Sequence, residues 1–314
     1  MTLKTICILG GTGFVGRHLA ATLPQDQYRV RILTRTPAKA RPLTVLPNVG
    51  VEFCNPFDAH DLREILATAD ILINLVGILN EKKDDGKGFH KAHVELTRLA
   101  IQACLDTGTT RYLHMSALHA DANAGKSHYL RSKGEAEDLA HAAARSGLQV
   151  TSFRPSVIFG PGDSFFNRFA GLLKFTPGIF PLACAQARFA PVYVGDVVAA
   201  FTRAITDKKT IGRRYDLCGP QVYTLKQLVE FTAQTVGVHR LVIGLPDILA
   251  KIQAHILQNV PTKPFSMDNY RSLQIDSTCT DNGLIELGIK PASIESVVPR
   301  YLGYLNRGTH IPER

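Results

Sequence analysis

The sequence predicts an α/β protein with a doubly wound parallel sheet and a smaller carboxy-terminal α/β region. Two observations predict this class. Short apolar runs rich in β-branched residues alternate with segments of helical spacing from residue 5 to residue 153. After residue 162 this rhythm gives way to a mixture of helices and short returning strands. Strands that are buried on both faces of a parallel sheet have such continuous apolar runs.

Each element follows from its local pattern. Apolar runs predict six strands, and the segments between them are long enough for crossover helices. The predicted strands are 5–9, 30–34, 49–54, 69–76, 111–116 and 148–153, and the helices among them include 15–23, 94–106 and 129–146. Further on, helices are predicted at 165–173 and 224–236, and returning strands at 190–194 and 214–217.

Composition and charge limit the classes of function. The chain has 314 residues, 45% of them apolar and 20% charged, so it can bury a large core. Its net charge of +9 is spread without a Lys/Arg block, and it has no Trp, which favours a small anionic ligand over nucleic acid. The longest apolar runs are about ten residues, too short to span a membrane. Glycines interrupt the apolar opening 6–15, which predicts a strand and a turn rather than a signal peptide, and we expect a cytoplasmic protein.

The cysteines lie far apart in the sequence. They form no C-x-x-C pair and no His/Cys cluster at metal-ligand spacing. This pattern predicts free thiols in a reducing compartment and no metal site. The six residues are Cys7, Cys54, Cys104, Cys184, Cys218 and Cys279.

A glycine-rich turn stands between the first predicted strand and the first predicted helix. Residues 10–16 read G-G-T-G-F-V-G. In this context the first glycines allow a tight turn, Gly13 lets the backbone approach a pyrophosphate, and Gly16 lets the helix pack closely on the strand. The pyrophosphate would then bind the free amide groups at the helix N-terminus. The turn therefore predicts a Rossmann-type dinucleotide site.

The two regions divide accordingly. We expect residues 1–160 to form the nicotinamide dinucleotide domain, with returning elements at about 190–220. Residues 161–189 and 221–314 are expected to form the substrate side.

The end of the second strand favours NADP(H), although NAD(H) stays open. A carboxylate at this position would accept from the ribose 2′-hydroxyl of NAD and repel a 2′-phosphate. The sequence has Thr34, Arg35 and Thr36 there, with Lys39 and Arg41 close behind. A guanidinium can bind a phosphate with two hydrogen bonds. Alternatively, these cations are ordinary solvent-facing residues.

Tyr129 and Lys133 lie four residues apart in the helix predicted after the fifth strand, and therefore on one helix face. A lysine in this place favours ionisation of the phenol and can donate to a nicotinamide ribose. Such a tyrosine can act as a general acid or base.

With these elements the chain resembles the extended short-chain dehydrogenase/reductase family, over nearly its whole length. Segments 74–77 (N-L-V-G), 154–163 (R-P-S-V-I-F-G-P-G-D) and 191–197 (P-V-Y-V-G-D-V) look like motifs of this family. Segments 129–137, 215–220 and 287–291 look like the subgroup related to the NADPH-binding accessory subunit of respiratory complex I, whose members are called NAD-dependent epimerase/dehydratase-like.

The resemblance implies a set of site residues. Tyr129 would be the acid/base, Lys133 would tune it, and a hydroxyl residue after the fifth strand, here Ser116, would hold the substrate oxygen. Phe165, Asn167 and Arg168 are expected near the substrate. The expected cofactor-binding residues are Gly10, Gly11, Thr12, Gly13, Phe14, Val15, Arg35, Asn55, Leu75, Val76, Gly77, Tyr129, Lys133, Pro155 and Val157.

The chain departs from the family pattern at several positions. Ala117 stands where the hydroxyl residue is expected, one step after Ser116, so Ser116 is either a substrate-binding or a buried structural residue. Asn55 replaces an Asp that contacts adenine. His93 replaces an active-site Asn and is expected to be structural rather than catalytic. Asp196 is expected to anchor a loop or cap a helix rather than take part in chemistry.

Two functions stay open. The first is an NADP(H)-dependent oxidoreductase or epimerase/dehydratase acting on a small molecule. The second is a non-catalytic NADPH-binding accessory or assembly protein of respiratory complex I or of quinone metabolism, in which the cofactor stabilises the fold. Residues 247–260 have apolar residues at helical spacing, which predicts either packing onto the core or a peripheral position on a membrane surface, with a quinone-like ligand as a hypothesis.

Overall fold

The structure is a computed structural model that describes residues 3–261 and 263–303. The chain divides into two compact units. The first contains residues 1–154 and 197–216, and the second contains 155–196 and 217–314.

The first unit contains the large sheet. The strand order is β11-β6-β5-β4-β1-β2-β3, and β1 to β6 pair in parallel in the order expected of a Rossmann fold. The doubly wound fold is thereby confirmed. The strands are β1 (Lys4–Leu9), β2 (Tyr28–Thr34), β3 (Val49–Phe53), β4 (Ile71–Asn74), β5 (Arg111–Met115), β6 (Gln149–Pro155) and β11 (Arg214–Leu217).

Helices cover the sheet and close the core of this unit. Apolar side chains of β1, β4 and β5 pack with those of three neighbouring helices, among them Leu9, Leu72, Leu62, Ala100 and Ala140. The helices are α1 (Phe14–Thr22), α2 (Ala59–Leu66), α3 (Lys87–Phe89), α4 (Leu96–Thr107), α5 (His128–Ala142) and α7 (Val194–Thr206), the last of which begins in the second unit.

Two predicted elements differ from the structure. The crossover between β2 and β3 is a 3-10 segment, Pro37–Leu43, because Pro42 inside it removes a backbone donor that an α-helix would use. The helix predicted from residue 94 begins earlier, since α3 continues through a π-helical stretch, His90–Glu95, into α4.

The second unit has its own apolar core. Among its described residues the strands pair as two-stranded sheets, β10 with β7, β12 with β9 and β13 with β8. Phe166, Leu173, Phe180, Leu228 and Val298 are among the buried side chains. Its elements are β7 (Ile158–Phe159), α6 (Phe166–Phe175), β8 (Ile179–Leu182), β9 (Arg188–Phe189), β10 (Val192–Tyr193), β12 (Tyr223–Thr224), α8 (Leu225–Thr235), β13 (Leu241–Gly244), α9 (Asp247–Leu257), α10 (Met267–Ser272), α11 (Gly283–Glu286) and α12 (Ile294–Leu302).

The returning strand predicted at 190–194 is shortened to Val192–Tyr193, and it pairs with β7 rather than joining the large sheet. The chain turns helical at Val194, where Asp196 lies in the first turn and complements the helix dipole. The other predicted returning strand, 214–217, lies beside β6 as an edge strand.

The prediction that all six cysteines are free is wrong for one pair. Cys218 and Cys279 form a disulfide with their Cα atoms 6.1 Å apart. Asn282 brings the two loops together, because its side chain donates to the Cys218 carbonyl at 2.8 Å and caps α11. The two cysteines are 61 residues apart, so no local motif could indicate the pair. The other four cysteines are free thiols.

Gly16→Ala tests the contact between α1 and the glycine turn. The substitution should lower the free energy of unfolding by about 1–3 kcal/mol, because overpacking a well-packed site is destabilising. Its Cβ would lie 2.5 Å from the Gly11 Cα and 2.6 Å from the Gly10 carbonyl oxygen. Urea unfolding measures the change.

Gly171→Ala is the matched control. Gly171 lies inside α6, and a Cβ at this position would have no other atom within 4 Å. This change should leave stability unchanged or raise it by about 0.5–1 kcal/mol, since alanine is the better helix former. Equal destabilisation by both substitutions would contradict the steric explanation.

Candidate dinucleotide site

The glycine turn has the geometry that the sequence predicts. It joins β1 to α1, and Gly10 has a φ of 78°, which a residue with a side chain rarely adopts. A Cβ on Gly10 would lie 3.1 Å from the backbone of Leu75 and Val76, so the turn approaches the loop after β4 closely. Gly13 is the N-cap of α1, and no side chain in the described part of the chain caps this helix. The first-turn amides and the positive end of the helix dipole can therefore receive an anion.

Asn74 fixes the loop that the glycine turn approaches. Its buried side chain donates to the Thr97 hydroxyl at 3.2 Å and to the Tyr112 hydroxyl at 3.0 Å. Its carbonyl oxygen accepts from the Val76 amide at 3.1 Å. These three buried hydrogen bonds fix the Asn74 side chain, and through the Val76 amide they fix the path of residues 75–77 after β4.

Lys133 is buried against the same loop. Its ammonium donates to the Val76 carbonyl at 3.1 Å and to the Met115 carbonyl at 2.9 Å, at the ends of β4 and β5. A Cβ on Gly77 would lie 3.2 Å from Nζ, so only a glycine leaves the ammonium this much room. Burial lowers the pKa of Lys133 to about 8, with Glu137 acting in the opposite direction. The site therefore contains a buried ammonium group that loses its proton more readily than an exposed lysine does.

Tyr129 lies in the first turn of α5, one helical turn before Lys133. Ser127 caps this helix by accepting from the Leu130 amide at 3.1 Å. The Tyr129 ring is half-buried, and it packs edge-on against Phe89 at 6.0 Å and His93 at 5.7 Å between ring centroids. The structure thus brings Tyr129, Lys133, the β4 loop and the glycine turn into one region of the first unit.

His93 is a buried structural relay in this region. Its Nε2 accepts from the Ile78 amide at 3.1 Å, so Nδ1 carries the proton and donates to the Ser132 hydroxyl at 2.8 Å. The hydroxyl in turn donates to the Tyr129 carbonyl at 3.0 Å. Burial, with the nearby Lys133 charge, lowers the pKa of His93 to about 2. A neutral ring therefore ties the β4 loop to the start of α5.

Ser116 has the buried contact of the structural alternative. It follows β5 directly and is buried, and its hydroxyl donates to the Glu137 carboxylate at 3.1 Å. Arg154 donates to both oxygens of Glu137, and the Arg214 guanidinium lies 3.5 Å away. Burial raises the pKa of Glu137, and Arg154 opposes the shift. Ser116 therefore belongs to a buried ionic network, and Ala117 beside it offers no hydroxyl.

Glu137 was not predicted from the sequence. It lies four residues after Lys133 and hence on the same helix face as Tyr129 and Lys133. A third ionisable residue on the buried face of a helix is the signal that could have indicated it.

Arg35 and Asn55 lie in the loops after β2 and β3. Arg35 is exposed and directly follows Thr34, whose hydroxyl accepts from the Thr36 amide at 3.1 Å. The Asn55 side chain accepts from the Phe57 amide at 3.3 Å and shapes the turn before α2. Its amide group remains the part of the side chain that could contact a base.

The remaining predicted site residues belong to the second unit. Pro155 ends β6, and Val157 packs at the edge of this unit's core. Phe165 packs against three other phenylalanine rings, and Asn167 bonds to Asp163 through its backbone and its side chain. The Arg168 guanidinium donates to the Pro264 carbonyl at 3.2 Å. Their roles at a cofactor or substrate stay predictions.

Asp196 has the anchoring contact that the sequence suggests. Its carboxylate accepts from the Ala292 amide at 2.8 Å and so ties the start of α7 to the loop before α12. Burial raises the pKa of this carboxyl group, and the Ala292 amide opposes the shift.

A parallel sheet in this strand order, a glycine turn at a helix N-terminus and a Tyr/Lys pair define a dinucleotide-binding dehydrogenase fold. The NAD dependent epimerase/dehydratase family matches residues 6–218, and the chain belongs to this family. The resemblance deduced from the sequence is confirmed.

Known proteins resemble the chain over most of its length. Subunit 9 of the mitochondrial NADH dehydrogenase (ubiquinone) 1 alpha subcomplex of Arabidopsis thaliana is 28% identical, covering 96% of this chain and 78% of that protein. The ceramide reductase of Caulobacter vibrioides is 29% identical, covering 77% and 74%. Crystallised dTDP-glucose 4,6-dehydratase from Streptomyces venezuelae has the same fold, with a TM-score of 0.75 at 20% identity and 97% of each chain covered.

His114→Leu tests how the buried His114 imidazole changes the stability of the protein at acidic pH. Neither nitrogen of this ring has a hydrogen-bond partner among the described residues, and burial holds its pKa well below the usual value. In the unfolded chain the ring gains a proton as the pH falls through about 6.5, so protonation favours unfolding below that pH.

The substitution should therefore reduce the loss of stability between pH 7 and pH 5 by about 2 kcal/mol. Urea unfolding at the two pH values measures it. His60→Leu is the control, because His60 is exposed. An unchanged pH dependence in His114→Leu would show that the ring takes up its proton within the folded state.

Proposed function

We propose that the protein binds NADP(H) at the glycine turn and transfers hydride in an oxidoreductase or epimerase/dehydratase reaction on a small molecule. The observation that carries this proposal is the buried Lys133 ammonium, held by two backbone carbonyls one helical turn from Tyr129. A buried cation is costly unless it is paired and hydrogen-bonded, and a ligand with hydroxyl groups beside it would supply further acceptors.

The residues present fit a dinucleotide. Side chains at Gly10 and Gly13 would come within 3.1 Å and 3.0 Å of backbone atoms, so the turn needs glycines there. The uncapped amides of Phe14 and Val15 would bind the pyrophosphate, with Thr12 beside them.

The loop at residues 75–77 would contact the nicotinamide half of the cofactor, and Lys133 would donate to its ribose. When bound, the nicotinamide supplies the hydride chemistry.

Tyr129 would move the proton in this reaction. The phenol would donate to a substrate carbonyl oxygen during reduction and accept from a hydroxyl group during oxidation. Lys133, one turn away on the same helix, would favour the ionised phenol. Ser116 already donates to Glu137, so a second donor to the substrate oxygen would have to come from another group.

Arg35 supports a preference for NADP(H). It is exposed at the end of β2, where a carboxylate would be needed to accept from the ribose 2′-hydroxyl of NAD. Lys39 is also exposed on the segment that follows. A guanidinium there can bind a 2′-phosphate with two hydrogen bonds.

A second function is favoured by the Ser116 contact. If the reaction lacks its substrate-binding hydroxyl, the protein would act as a cofactor-stabilised accessory protein of a respiratory complex. The Arabidopsis relative is named as a subunit of an NADH dehydrogenase. No helix among the described residues is long and apolar enough to cross a membrane.

Tyr129→Phe separates the two functions. With a panel of aldehydes, ketones and sugar nucleotides, the proposed enzyme should lose about 10²- to 10⁴-fold in kcat while its affinity for NADPH is retained. Oxidation of NADPH, followed by its absorbance, measures turnover. Tyr28→Phe, in the sheet of the same unit, is the control. Equal turnover by Tyr129→Phe would contradict the assigned role, and tight NADPH binding without turnover by either protein would support the accessory function.

Arg35→Ala tests the choice of cofactor. The unmodified protein should bind NADPH at least about tenfold more tightly than NADH, a difference of about 1.4 kcal/mol, and the substitution should remove that difference. Binding calorimetry with both nucleotides measures it. Arg29→Ala, at the opposite end of β2, is the control. A preference for NADPH that persists in Arg35→Ala would assign the phosphate to another cation.

A further inference from the structure

The isoleucine side chains of helix α9 (Asp247–Leu257) face away from the core of the second unit. Its buried face consists of alanines, with Ala250 2% and Ala254 0% exposed. Ile248, Ile252 and Ile256 repeat every four residues on the opposite face, and they are 73%, 49% and 60% exposed. Helix α9 therefore packs on the second unit through its alanines, as one of the two alternatives expects, and leaves these isoleucines exposed.

The exposed face of α9 continues onto a neighbouring two-stranded sheet. In the parallel pair β8 and β13, Ile179 is the register partner of Leu241, and both side chains are exposed. Phe180 and Val242 on the other face are buried. The Gln253 side chain joins α9 to this sheet by donating to the Pro181 carbonyl at 3.2 Å. We call the outward sides of β8, β13 and α9 the apolar face.

An exposed aromatic residue stands next to this face. Phe175 ends α6 and is 90% exposed. The loop after it is tied to β13, because the Leu241 amide donates to the Gly178 carbonyl at 3.0 Å. The Arg240 guanidinium donates to the Leu173 carbonyl at 2.9 Å and therefore lies at the same end of α6.

The charge around the apolar face is basic. Segments 164–182 and 237–263 contain five Lys or Arg residues and a single acidic residue, Asp247. That carboxylate pairs with Lys251 at 2.8 Å on the flank of α9. Basic side chains beside exposed apolar residues are typical of helices that lie in the interface of an anionic bilayer.

We propose that the apolar face docks the second unit on an anionic membrane surface, with the α9 isoleucines and Phe175 inserted among the lipid chains. The basic residues would contact lipid phosphates. An exposed apolar area of this extent on three adjoining elements marks an interaction site, because monomeric proteins rarely leave such areas in water. The excess of positive charge favours a membrane over a second copy of the chain, since two such faces would repel each other. This inference does not depend on the proposed reaction.

Flotation of the full chain with lipid vesicles tests the proposal. The protein should float with vesicles that contain phosphatidylglycerol, and binding should weaken at least about tenfold on phosphatidylcholine alone or in high salt. The double substitution Ile252→Asp and Ile256→Asp should weaken binding to the anionic vesicles at least about tenfold. Ile285→Asp, at an isoleucine on α11 that is 68% exposed, is the control and should bind as the unmodified protein does.

Phe175→Ser provides a second variant outside α9. It should also weaken binding while leaving the melting temperature unchanged, because the side chain is almost wholly exposed. Failure of the unmodified protein to float with anionic vesicles would overturn the proposal. So would equal loss in Ile285→Asp, or a dimer in sedimentation velocity that the double substitution dissociates and that does not bind vesicles.

Discussion

The buried ammonium of Lys133 is the constraint on which the candidate site depends. Removing this cation from water is costly, and the Val76 and Met115 carbonyls at the ends of β4 and β5 offset that cost by accepting its hydrogen bonds. Gly77 leaves room for the ammonium, since a Cβ there would lie 3.2 Å from Nζ. The buried ammonium also disfavours a second cation nearby, since burial, together with the Lys133 charge, lowers the pKa of His93 and keeps its ring neutral. The neutral ring can then donate and accept in a fixed direction between the β4 loop and α5.

The fold and part of the site follow from local sequence patterns. Apolar runs such as 71–74 identify the buried strands, and the spacing of Gly10, Gly13 and Gly16 identifies the turn, because both depend on neighbours in sequence. The Ser116 partner could not be predicted, since Glu137 reaches it from another element. The same holds for the disulfide between Cys218 and Cys279. Tertiary contacts of this kind leave no periodic signal.

Hydrophobic periodicity alone also left open which way helix α9 faces. The spacing of apolar residues over α9 is the same for a core helix and for one that lies on an interface. Residue size determines which side of α9 is buried. Ala250 and Ala254 pack closely on the second unit, and the isoleucines are exposed. When the small residues of a helix face the core, its larger apolar side chains are exposed and can contact a membrane or another protein.

The most direct test of the central claim is calorimetric titration of the unmodified protein with NADPH. The geometry of the glycine turn and the Lys133 pocket predicts saturable binding of one nucleotide per chain. It also predicts a melting temperature that rises with nucleotide concentration, because only the folded state can bind. Absence of both heat and stabilisation, with NADH as well as NADPH, would contradict a dinucleotide site and leave the family fold without its cofactor.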